Sequence, residues 1–142
     1  MRRLALAILM WGVMSVFVPL GGFAQDARSF DGNWAVTMVC GPTSDGARGY
    51  SWNFSGQIAN GMFRGVYGTE GRPPWLRLEG PIAPAGSAML IAQGQSNNPD
   101  YAVGHVRAGT PLNYRVEARF SGQRGSGRRL DNRPCDLTFV RQ

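Results

Sequence analysis

The chain has 142 residues, 43% of them hydrophobic and 17% charged, and its formal net charge is +6. Every basic residue is arginine, which excludes Schiff-base and Ser-Lys catalysis and a P-loop lysine. Two cysteines and a single histidine cannot complete a four-ligand zinc site without carboxylates, so no metal and no cofactor are expected.

Arg2 and Arg3 precede an apolar run, Leu4 to Leu20, and Gly22-Phe23-Ala24 places small residues at the −3 and −1 positions of a cleavage site. This is the build of a secretory signal peptide over residues 1–24, cut between Ala24 and Gln25. The run falls short of the about 20 apolar residues that a membrane span needs, so no stable span is expected after cleavage. The remaining residues, 25–142, are enough for one domain with one modest core. Export implies a periplasmic or secreted protein, and an oxidising compartment makes Cys40 and Cys135 one disulfide. Closing a loop with 95 residues between its ends is worth roughly 4–5 kcal/mol in the chain-entropy model.

The first strand is read over Phe30 to Cys40, with Trp34, Val36, Met38 and Cys40 on one face. The second, from Tyr50, alternates Tyr50, Trp52 and Phe54 against Ser51, Asn53 and Ser55, one face in a core and one in water. Asn60-Gly61 is the favoured pair for a tight hairpin, because both positions there need positive φ. A third strand runs from Met62 to Tyr67, and a fourth starts at Trp75 after Pro73-Pro74. The fifth, Ala88 to Gln93, is apolar on both faces. A weaker sixth is read over Tyr101 to Arg107 and a strong seventh over Leu112 to Phe120. Ser121 to Arg133 reads as a Gly- and Arg-rich loop, and Cys135 to Val140 as the last strand.

Short, evenly spaced strands without helical periodicity predict an all-β fold. The specific expectation is a single small antiparallel up-and-down barrel of about eight strands, closed by the Cys40–Cys135 disulfide. With an even number of strands, the end of the first lies beside the start of the last, where the two cysteines are. Closure also removes the exposed edges that an open sheet would leave.

An eight-stranded barrel is either filled by side chains or holds one small ligand. Trp52, Tyr67, Trp75 and Tyr114 are the candidate ligand-binding residues, with Trp75 placed at the barrel mouth; the same aromatics serve a filled core equally well. Arg124, Arg128 and Arg129, spaced by glycines, form a candidate anion site for phosphate, sulfate or a carboxylated glycan, or else a solvated face. Nucleic acid is not expected as a partner, since export removes the chain from it and no stacking motif accompanies the arginines. No nucleophile-elbow or other catalytic motif occurs, so an enzyme is not expected; His105 is the one candidate base.

Taken together, FDGNWAVTMVC, IANGMFRGVYGTEGRP, LEGPIAPAGSAMLIAQG, GTPLNYRVEARFSGQRGSGRR and RPCDLTF resemble a recurrent module of exported proteins in alphaproteobacteria, chiefly rhizobial relatives. In general plan the chain is also similar to avidin-like and lipocalin-like barrels, and to the small barrel inhibitors that Gram-negative bacteria export against lysozyme or proteases. It lacks a residue set matching a biotin site, and the resemblance assigns no site residue. The function expected is a non-catalytic exported barrel that binds a small molecule or a cell-envelope component, such as an anionic glycan, at its open end. The alternative is a protein-interaction or inhibitor module acting through loops and the Arg-rich turn.

Overall fold

The computed structural model describes residues 27–142, so the signal-peptide reading lies outside the described residues. Eight strands form a closed antiparallel barrel in which each pairs with its sequence neighbour and the last returns to the first. They are β1 (Gly32–Cys40), β2 (Tyr50–Ala59), β3 (Met62–Thr69), β4 (Arg72–Pro81), β5 (Ser87–Gln95), β6 (Pro111–Ser121), β7 (Arg124–Arg129) and β8 (Cys135–Arg141). The β1–β8 seam runs from Trp34 opposite Arg141 to Cys40 opposite Cys135, and the two cysteines are joined in a disulfide. The barrel, its strand count and its covalent closure follow the expectation from the sequence.

Two strands differ from that expectation, and the differences offset each other in the count. Tyr101 to Arg107 is not a strand: it holds two short 3-10 turns, Pro99–Tyr101 and Val103–His105. Gly104 and His105 both have positive φ, which an extended strand does not accommodate. The missing strand, β7, lies inside the stretch read as a loop. Its outward positions are Arg124, Ser126 and Arg128, while two of its inward positions are Gly125 and Gly127. No apolar alternation marks it, because neighbouring side chains already occupy the space that its own would fill. A Cβ on Gly125 would stand 2.9 Å from the Phe120 ring, and one on Gly127 would stand 3.2 Å from Val116.

One end of the barrel is sealed. Tight turns link β2 to β3 and β6 to β7 there, with Asn60 and Gly61 in the left-handed region as the hairpin reading requires. Asp31 caps that hairpin by accepting from the Asn60 and Gly61 amides at 2.9 and 3.0 Å. The 3-10 turn Ala27–Phe30 lays Phe30 across the opening, and Trp34 Nε1 donates to the Phe30 carbonyl at 2.9 Å. Arg141 lies over the Trp34 ring and donates to the Ser29 and Asp31 carbonyls, tying the last strand to this plug.

Above the plug, Phe63, Phe120 and Phe139 pack against one another and Phe120 against Trp34, with ring centroids 4.8 to 6.4 Å apart. Glycine makes this density possible: a Cβ on Gly56 would lie 2.5 Å from the Phe63 ring. Leu76, Leu78, Leu90, Val116 and Leu137 form the next layer, all at most 2% exposed. This half of the interior is the filled core that the aromatic composition allows.

Gly56→Leu should therefore lower stability by several kcal/mol, more than the ~1–3 kcal/mol of ordinary overpacking, because the Phe63 ring, packed against Phe120 and Phe139, cannot withdraw. Denaturant unfolding checks this. Replacing both cysteines with alanine should cost roughly 4–5 kcal/mol and lower the melting midpoint by about 10–20 °C, as differential scanning calorimetry would read.

Candidate functional site

The up-and-down topology sends the long connections to the opposite end: residues 41–49, 96–110 and 130–134, with the short β3–β4 turn. Beneath them lies a cavity of about 260 Å³. β2 supplies Tyr50 and Trp52 to its wall, β4 Pro74 and β6 Leu112. The 96–110 loop folds over it with Asn97, Asn98, Tyr101 and Val103 among the lining residues. The charged side chains lining it are Arg129 and Arg133.

Of the four aromatic candidates, only Trp52 lines this cavity. Tyr67 supports it from behind, its ring stacked on Trp52 with centroids 4.2 Å apart and planes within 8°. Tyr114 lies deeper, 5% exposed, roofed by the Arg129 guanidinium at 3.7 Å from its ring centroid. Its hydroxyl donates to Met38 Sδ at 3.6 Å, and burial pushes the phenol pKa well up. Trp75 corrects the expectation. It stands near this end but on the outer face, where Nε1 donates to Gln95 Oε1 at 2.6 Å. Strand parity decides this: Leu76 and Leu78 point inward, so Trp75 points out, and Pro74 takes the inward place.

The candidate anion site is also corrected. Arg124, Arg128 and Arg129 do not share a flexible turn; they sit on β7, and parity divides them. Arg124 and Arg128 are exposed on the outside, where Arg128 faces Glu117 at 3.5 Å. Arg129 turns inward at the strand's end and forms a two-pronged ion pair with Asp131, both contacts at 2.7 Å.

Arg133 was read as part of the same arginine-rich stretch but not as a site residue, and it is the central group of the rim. It is 2% exposed and donates to the Tyr101, Gly41 and Arg48 carbonyls at 2.6, 3.1 and 2.7 Å. One guanidinium thus binds the 41–49 and 96–110 loops to its own loop. Its plane lies over the Tyr50 ring, 4.8 Å from the centroid, and its Nε has no hydrogen-bond partner. Tyr50 was also missed, although it shares the inward face with Trp52; burial raises its phenol pKa, keeping the hydroxyl protonated. The only signal for Arg133 was its place two residues before Cys135, which fixes the rim.

A second clasp joins the same two loops outside the cavity. Asp45 accepts from Thr43 Oγ1 and from the Gly104 amide, and these bonds hold its carboxyl below the usual range. His105 bridges the Asp45 carbonyl through Nε2 at 2.8 Å and the Pro99 carbonyl through Nδ1 at 3.0 Å. A neutral ring can donate from only one nitrogen, so two facing carbonyls favour the imidazolium and raise its pKa, helped by the Asp45 and Asp100 carboxylates. The ring engages main-chain carbonyls at the rim.

The outer apolar residues of β5, Met89 and Ile91, are 42% and 37% exposed. On β6 they face Glu117 and Arg115, so each stands among charges instead of in a continuous apolar patch. Among the described residues, no three His, Cys, Asp or Glu side chains group as a metal site would need, and no helix is long and apolar enough to cross a membrane.

Because the folded His105 pKa is raised, its stabilising bond pair is complete below the unfolded value of 6.5 and is lost as pH rises through the folded value. The wild type should exceed His105→Gln in melting midpoint at about pH 5.5, and the gap should narrow by about pH 8.5. Thermal melts of both proteins in matched buffers check this.

Neither family models nor curated proteins nor solved structures yield a match to the chain.

Proposed function

We propose that the protein is an exported, non-catalytic β-barrel that binds a small organic molecule in the cup beneath its long loops. The carrying observation is the division of the interior: solid below, and above it a cavity of about 260 Å³ walled by Tyr50, Trp52, Pro74 and Leu112. A predominantly apolar concavity with a few converging polar groups is the ordinary form of a small-molecule site. Its volume is just under the ~300–1,000 Å³ of typical ligand pockets, which suits a ligand of one or two rings. Clasped loops make the cup preformed, which lowers the ordering cost of binding.

The setting is periplasmic or secreted. A disulfide that closes the barrel fits an oxidising compartment, and the signal-peptide pattern of the first 24 residues agrees with it. The reading as an interaction module has less support, because the apolar side chains of β5 that would serve it are separated by charge.

The neutral two-ring fluorophore 6-propionyl-2-(dimethylamino)naphthalene tests the cup. Its emission should rise saturably with one site per chain, and Leu112→Trp, which fills the cavity, should weaken it at least about tenfold while the melting midpoint holds. Equal binding by wild type and Leu112→Trp would place the probe elsewhere and overturn the assignment.

A further inference from the structure

The charged groups lining the cup are both arginines, and only one of them has a carboxylate partner. Asp131 neutralises Arg129 through the two-pronged pair. Arg133, almost wholly buried, is held by three neutral carbonyls and the face of Tyr50, and among the described residues no carboxylate lies within ion-pair distance of it. Its Nε has no acceptor among the described residues. The cup therefore has an excess of one positive charge in a partly desolvated wall, where Coulomb attraction is weakly screened.

Neutral donors point the same way. The Tyr50 hydroxyl makes no hydrogen bond within the described residues, and the Asn97 and Asn98 side chains line the same space. The other lining surfaces are flat or apolar: Trp52, backed by the stacked Tyr67, with Pro74, Leu112 and Val106. Acidic residues of the nearby loops, Asp45 and Asp100, are exposed and do not line the cavity.

Building on the cup assigned above, we infer that its ligand class is the small aromatic monocarboxylate. The ring lies against Trp52, and the single negative charge supplies the counter-charge that Arg133 lacks. One charge matches the excess of one; a dianion would leave a buried negative charge uncompensated, and an amine would add to the positive charge.

Isothermal titration of the disulfide-bonded protein with 2-naphthoate, 2-naphthamide and 2-naphthylmethylamine tests this, since the three share one ring system and differ in charge. Naphthoate should bind at least about tenfold more tightly than the amide, with the amine weakest, as expected for a charge-assisted contact in a shielded site. Asp131→Asn keeps an oxygen for the Arg133 amide but leaves Arg129 unpaired, so the ratio of naphthoate to amide affinity should widen about threefold or more. An amide that binds as tightly as naphthoate would overturn the charge assignment while leaving the cup in place. Binding of none of the three would overturn the cup itself.

Discussion

Closure of β8 onto β1 is the constraint on which the molecule depends. In this seam, Trp34 faces Arg141, Val36 faces Phe139, Met38 faces Leu137 and Cys40 faces Cys135, so one register aligns four inward pairs. Each end of the seam is then fixed by different chemistry. At the plugged end, Arg141 reaches across Trp34 to the carbonyls of the N-terminal 3-10 turn. At the loop end the link is covalent, and Gly41 continues the pairing by donating to the Pro134 carbonyl at 2.8 Å. A slip of one residue would turn every core side chain of a strand to solvent, and the disulfide forbids it.

The closed wall encloses one interior, and residue size divides it. Toward the plug, the rings of Phe63, Phe120 and Phe139 occupy room left by Gly56, Gly65 and Gly125, giving a close-packed aromatic layer. Toward the loops the wall carries Tyr50, Trp52 and Leu112 with nothing opposite to fill the space, and the cavity results. Packing below makes the cup floor rigid, and the clamps above make its rim rigid.

The rim depends on a buried cation. Arg133 joins the 41–49 loop, the 96–110 loop and its own β7–β8 loop through carbonyls that would otherwise lack donors. Such an arrangement satisfies the backbone but leaves the charge without a counter-ion, and that imbalance faces the cavity. The structural need for this cation and the proposed ligand preference therefore meet in one side chain. The outer surface follows the opposite logic: Arg64 and Arg77 pair with Glu70 and Glu79 in exposed bridges, which solubilise the wall and contribute little stability.

The sequence by itself determined the class of fold, the alternation that turns Trp34, Trp52, Phe63 and Phe120 inward, and the pairing of Cys40 with Cys135. These are local or parity properties: side-chain period in a strand is two, and an even meander brings its ends together. What the chain could not express locally was left to tertiary structure. β7 has glycines where a strand usually has apolar residues, because the rings filling its inner face belong to β6 and β8. The Tyr101–Arg107 stretch has strand-like residues but folds as 3-10 turns, where Asp45 and His105 hold it against a loop about 60 residues away in sequence. Only the folded barrel decided that Arg129 parts from Arg124 and Arg128, and that Arg133 is buried. Each depends on which side of a closed wall a residue meets, and that is a property of the partners across it.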